Sequence, residues 1–187
     1  GEYIARRLWE FFAYADPEPE VVARLAKVFN DNQTEIRPVV RAIFESEEFY
    51  SSRAFRALVK GPAEHAVSAV RTLGIETTFG SVRVKIEAMG QSLLAPPDVS
   101  GWEGGTTWIN SSTLLERVNL ANTISEGGTR QLRFDPAALA GDAAESPEAF
   151  VGFLVDLLLG GEVSNETRDL LLEHAEDLRV PSTFTGR

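Results

Sequence analysis

Apolar residues recur three and four positions apart along almost the whole chain, and Pro or Gly interrupts the pattern at short intervals. That spacing places them on one face of successive amphipathic helices. Ile4, Leu8, Phe11, Phe12 and Ala15 form the first stripe. Asp16-Pro17-Glu18-Pro19 ends it, and Glu18 and Glu20 suit the first turn of a second helix carrying Val21, Val22, Leu25, Val28 and Phe29. A third stripe holds Ile36, Val39, Val40, Ile43 and Phe44, with Pro38 tolerable in its first turn. Phe49, Phe55, Leu58 and Val59 imply one or two short helices. Lys60-Gly61-Pro62 then resets the chain for a helix to Leu73, with Pro62 at its first position and Gly74 as its stop.

Ser81 to Leu94 carries two signals. Val82, Val84 and Ile86 alternate with charged residues as in a strand, yet Val82, Ile86, Met89 and Leu93 keep helical spacing, and Glu87-Ala88-Met89 favours helix, so a helix is predicted. A helix from about Ser111 to Ser125 follows a loop, carrying Leu114, Val118, Ala121 and Ile124. Gly127 to Glu145 is loop-like and Ala-rich, with a helical turn starting at Asp135-Pro136. Ser146 with Pro147 caps a helix that stops at Gly160-Gly161, and Ser164 caps the last, which carries Leu170, Leu171, Ala175 and Leu178.

Roughly eight to ten helices with no clear strand predict an all-α, non-bundle multi-helix fold with one long ordered Pro/Gly/Trp loop. The division expected is a main helical domain over 1–126, a connecting segment over 127–145, and a helix pair over 146–187 packed on the same domain. The predicted core comprises Leu8, Phe11, Phe29, Val40, Ile43, Phe44, Val67, Val70, Ile86, Met89, Leu114, Val118, Leu154, Leu157 and Leu171. Truncating Phe44 or Leu154 to Ala, if buried, is expected to cost ~2–5 kcal/mol. The chain opens inside a helical pattern without Met and closes on Thr185-Gly186-Arg187, which reads as the C-terminal part of a longer protein.

Composition narrows the function. With 18 Lys+Arg against 28 Asp+Glu in 187 residues, the net charge of -10 argues against a nucleic-acid footprint. The absence of Cys excludes disulfides and thiol chemistry. The apolar run from Phe150 to Leu159 is interrupted by Gly152 and Asp156, so no transmembrane segment is expected. His65 and His174 lie too far apart for a local ligand pattern, and neither a metal nor a cofactor is expected. No phosphate-binding loop and no nucleophile elbow occurs.

The stretch from Met89 to Asn110 stands apart, with two of the three Trp, a Pro pair, and Gly101, Gly104 and Gly105 close together. Long loops of this kind are functional or pinned by their own aromatic anchors. On the first reading Trp102 and Trp108 plug the core, each burying ~150–250 Å², while the glycines adopt positive φ or sit where a Cβ would clash. On the second, the indoles floor a polar cleft with Asp98, Glu103, Asn110 and Gln91 as contacts. Asn110, or one of the hydroxyls Ser111 to Thr113, should cap the next helix, and Thr113 with Glu116 fits a capping box. Arg117 could stack on an indole, and Arg117 or Asn119 is expected to bind the loop's carbonyls. Lys60, Glu64 and His65 gather a cation, a carboxylate and an imidazole, although Glu64 also suits a helix's first turn, where Lys60 could pair with it.

Several motifs together resemble a known family. They are Ala5-Arg6-Arg7-Leu8-Trp9-Glu10-Phe11-Phe12, the Lys60-x-Pro62-x-Glu64 turn, Gly90-Gln91, and Pro96-Pro97-Asp98-Val99-x-Gly101-Trp102-x-Gly104-Gly105-x-x-Trp108-Ile109-Asn110, followed by Arg117-x-Asn119 and Leu159-Gly160-Gly161-Glu162-Val163-Ser164-x-Glu166-Thr167-Arg168. The pattern resembles the bacterial domain-of-unknown-function family numbered 1800. The resemblance implies a longer parent, of which this is the C-terminal portion, and export for many members, with no activity to carry over. Three functions are therefore weighed. One is a non-catalytic interaction or scaffold module of an exported or envelope-associated protein, with an unknown protein partner. Another is a hydrolase or carbohydrate-binding protein using residues 95–110. The third is half of a site completed by a missing N-terminal region of the same chain.

Overall fold

The computed structural model describes residues 1–177, and the predicted helical position Leu178 lies outside them. Nine α-helices are present among the described residues: α1 (Glu2–Phe12), α2 (Pro19–Asp31), α3 (Ile36–Phe44), α4 (Pro62–Thr72), α5 (Gly80–Ala88), α6 (Ser111–Ser125), α7 (Pro136–Ala140), α8 (Pro147–Leu159) and α9 (Asn165–Asp177). The fold is mostly α and not a simple bundle. Short 3-10 turns lie at Glu47–Tyr50, Gly105–Trp108 and Gly141–Glu145.

The helix starts follow their caps. Pro occupies the first turn of α2, α4, α7 and α8, where its missing N–H has no intrahelical partner to lose. Asp135 accepts from the Ala137 and Ala138 N–H groups, and Ser146 from Ala149. Gly160 ends α8 at φ 62°, a left-handed position that glycine takes without Cβ strain. The ambiguous stretch at Ser81 is helical, as α5. Phe49 to Val59 departs from expectation, giving only the 3-10 turn Glu47–Tyr50 and a hydrogen-bonded turn at Ser51.

A small antiparallel sheet was not expected. The strands β1 (Glu76–Thr77), β2 (Gly128–Thr129) and β3 (Leu132–Arg133) lie in the order β1-β3-β2, with Thr77 opposite Leu132 and Glu76 opposite Arg133. Two-residue strands are too short to display the alternation by which strands are recognised.

The chain forms two compact units. Among the described residues, one comprises Gly1–Lys60 with Gly104–Thr106, and the other Gly61–Glu103 with 107–177. The first unit packs α1, α2 and α3 around Trp9, Leu25, Val39 and Ile43. The second has a separate core of Ala66, Val70, Val82, Ile86, Met89, Leu120, Ile124 and Leu132.

Of the predicted core residues, Ile43, Val70, Ile86 and Met89 are buried, and Leu8, Phe29, Val40 and Leu154 are half-buried. Phe11, Phe44, Val67, Leu114, Val118, Leu157 and Leu171 are exposed. The correction is one of helix phase. In α1 the buried line runs through Ala5 and Trp9, which turns Phe11 outward; in α6 it runs through Leu120 and Ile124, away from Leu114 and Val118. α8 is apolar at all but a few positions and fully buries only Val151 and Val155, leaving Leu157 to Leu159 outside.

Candidate functional site

The second unit gathers several of the singled-out side chains at the start of α4. Gly61 precedes the helix, and its N–H donates to Glu64 Oε2 at 2.8 Å. The Ala63 N–H donates to Gln91 Oε1 at 2.8 Å, so a residue just beyond α5 holds the next orphan donor of α4. Trp108 lies over the same turn: a Cβ on Gly61 would sit 3.5 Å from the indole Nε1. Two residues on, Asn110 caps α6, its Oδ1 accepting from the Ser112 and Thr113 N–H groups at 3.0 Å. Thr113 Oγ1 accepts from the Asn110 N–H at 3.0 Å and donates to the Trp108 carbonyl at 2.9 Å. Thr113 thus closes its box with Asn110 rather than with Glu116, because Asn110 is the residue in extended backbone at the helix start.

Three candidates therefore converge on the start of α4, Glu64, Gln91 and Trp108, while Asn110 serves the start of α6. Asp98 and Glu103 are exposed on the preceding loop. Asp98 Oδ1 accepts from the Ser100 N–H at 2.7 Å, and the Gly101 N–H donates to the Asp98 carbonyl at 3.2 Å, which makes a tight turn. Gly101, Gly104 and Gly105 all have positive φ, and nothing lies within 4 Å of the place a Cβ would take. Backbone conformation, not crowding, explains them. Trp102 and Trp108 are half-buried. His65 is half-buried on α4, and Lys60 ends the first unit.

Asn119 Nδ2 donates to Glu116 Oε1 at 3.4 Å within α6. The carbonyl of Trp108 accepts from Thr113, a residue the sequence marked only as a cap. Arg117 is half-buried, and burial pushes its guanidinium pKa down. Among the described residues no three His, Asp or Glu are grouped to hold a metal ion, and no helix is long and apolar enough to cross a membrane.

The first unit contains a polar network that sequence reasoning missed. Arg53 pairs with Glu18, donates to the Asp16 carbonyl at 2.8 Å, and stacks over Tyr14 with its guanidinium carbon 4.2 Å from the ring centroid. The Tyr14 hydroxyl donates to Glu18 Oε2 at 2.8 Å. Arg24 grips Glu48 with both terminal nitrogens, at 3.0 and 2.9 Å. The Glu18 carboxyl is held below the usual range by its own backbone N–H first, then by the Tyr14 hydroxyl and by Arg53. Burial, with the neighbouring Glu18, pushes the Tyr14 hydroxyl up. Arg53 and Glu18 are far apart in sequence, so no local pattern announces the pair.

The same unit carries a row of edge-to-face rings, Phe11–Phe12–Phe44–Phe49–Tyr50, with centroids 4.8 to 5.2 Å apart. Its end members Phe11 and Tyr50 are 72% and 74% exposed. An open hollow of about 620 Å³ also lies in this unit, between α1 and α2, lined by Gly1, Tyr3, Ala26, Lys27 and Asn30 among others.

A mostly helical protein whose Pro/Gly/Trp segment meets two helix starts through side-chain-to-backbone hydrogen bonds of Gln91 and Thr113 is the class that fold and site define. The chain belongs to the family described as Protein of unknown function (DUF1800), whose sequence profile matches residues 1–183. No curated protein and no solved structure matches the chain.

Proposed function

We propose that this chain is a non-catalytic interaction or scaffold module of a bacterial exported or envelope-associated protein, with the loop from Ala95 to Asn110 as a shaped surface and not a reaction centre. The observation that supports this reading is the direction of the polar candidates. Glu64, Gln91, Asn110 and Asp98 each direct an acceptor to a backbone N–H of the protein itself. A general acid or base must exchange its proton with a substrate group within hydrogen-bond reach. These side chains instead stabilise two helix starts and one turn. The exposed rings of Phe11 and Tyr50 add apolar surface of the kind that marks contact with a partner.

The test is a hydrolysis screen of the protein against polysaccharides, esters and peptides, alongside Glu64→Gln, Asp98→Asn and Glu103→Gln combined in one variant. Those substitutions keep an acceptor oxygen and remove the charge. No turnover that the variant abolishes is expected; a turnover lost in it would establish the hydrolase reading instead. The half-buried indoles favour carbohydrate binding as a second reading, since a ring with one side in water can serve as a sugar platform. Oligosaccharide affinity that disappears in Trp102→Ala would support it.

A further inference from the structure

Between α5 and Trp102 the chain makes two hydrogen-bonded turns. In the first, the Ala95 N–H donates to the Ser92 carbonyl at 3.1 Å, and Leu94 takes the third position with φ 65°. In the second, Asp98 closes onto Gly101, and Val99 stands at the corner. Pro96 and Pro97 join the two turns with fixed φ. Leu94 is 98% exposed and Val99 107%.

A third turn position of positive φ suits Gly or Asn, and a leucine held there is strained. Neither Leu94 nor Val99 gains burial from this chain's own fold. A strained backbone therefore presents two apolar side chains entirely to water, on a frame stiffened by two prolines. A frame already in its bound shape loses little conformational freedom when it docks. The charges between Ala88 and Asn110 are Asp98 and Glu103, with no Lys, Arg or His among them. Such a surface is repelled by anionic lipid and complements a basic rim.

We propose that Leu93–Gly101 is a docking prong. Leu94 and Val99 enter an apolar pocket of a partner protein, and Lys or Arg on the rim of that pocket meets Asp98 and Glu103. The proposal rests on the interaction-module reading and names the surface and the partner's chemistry.

The experiment places a benzophenone amino acid at Val99 in the protein expressed in its own cells and maps the crosslinked residues, with and without L94G. Glycine relieves the strain at position 94, so L94G should melt at the same or a higher temperature. Crosslinks are expected on an apolar pocket bordered by Lys or Arg, with yield reduced about tenfold or more in L94G. Asp98→Asn, which keeps the acceptor for Ser100, should lower the yield and flatten its salt dependence. Crosslinks to a second copy of this chain, to lipid, to a pocket without basic residues, or to nothing would overturn the prong. An unchanged yield in L94G would do the same. Co-sedimentation with phosphatidylcholine or phosphatidylglycerol vesicles should be absent, and vesicle binding lost in L94G would replace the protein partner with a membrane. L94G leaves Glu64, Asp98 and Glu103 intact, so failure of the prong and failure of the non-catalytic reading give different results.

Discussion

Glu64 acts on the first turn of α4 by accepting from the Gly61 N–H. Glu64→Ala removes that acceptor and should cost about 1 kcal/mol, as loss of a helix cap does. Glu64→Gln keeps an oxygen in place and should cost less. Urea denaturation of both variants measures the difference, and equal losses would show that the bond contributes nothing. A second prediction concerns Glu18 and Glu48, whose carboxyls are held below the usual range, in each case first by the residue's own backbone N–H and then by partners that include Arg53 and Arg24 respectively. A pKa lower in the folded than in the unfolded chain stabilises the fold above the unfolded value, and the benefit is lost as pH falls through the folded value. The first unit should therefore weaken as pH drops below about 4.3. The weakening should be smaller when Glu18 and Glu48 are both Gln. These pairs are solvent-exposed, so added salt should also shrink the effect. Identical pH dependence in the wild type and the double variant would remove the network from the account.

Adjacent residues of α3 show what a single helix position decides. Ile43 is fully buried on the line it shares with Val39, while Phe44 lies about 100° further round the helix and is 40% exposed. Ile43→Ala should cost about 2–5 kcal/mol. Phe44→Ala should cost less, since 40% of its surface already faces water and its ring meets Phe12 and Phe49 edge-to-face. Chemical denaturation of the pair checks the order, and a larger loss at Phe44 would overturn it. The same contrast explains how much of each element could be read in advance. Helix existence was legible because proline, cap and glycine signals mark both ends of α4 and α8. Helix phase was not, because α1 and α6 carry apolar residues on more than one face, and which face is buried depends on the neighbours. The strands escaped because Glu76–Thr77 and Leu132–Arg133 pair across more than fifty residues with no local signature. At the candidate site, Asn110 was legible as a cap and Glu64 as a first-turn carboxylate from their positions relative to helix starts. The bond from Ala63 to Gln91 depends on α5 lying beside α4, which no spacing reveals.

At the scale of the molecule, the buried residues form separate cores on either side of Lys60-Gly61-Pro62. In sequence that tripeptide reads as a reset between helices, and the units part at the same point. The buried cluster around Leu25 and Trp9 has no member from α4, α5 or α6, and that around Met89 and Leu120 has none from α1, α2 or α3. Destabilisation of one core should then raise local opening there before it reaches the other. Leu25→Ala, at a fully buried position, should speed amide exchange throughout α1, α2 and α3 while α4, α5 and α6 keep their protection. Met89→Ala should do the reverse. Each loss of about 2–5 kcal/mol corresponds to a roughly 30- to 5,000-fold rise in the exchange of amides that open with that core. Native-state hydrogen exchange resolves the two sets by peptide, under conditions where exchange follows the opening equilibrium. Uniform acceleration across both sets in either variant would mean that the chain opens as one cooperative unit, with the division after Lys60 one of geometry alone.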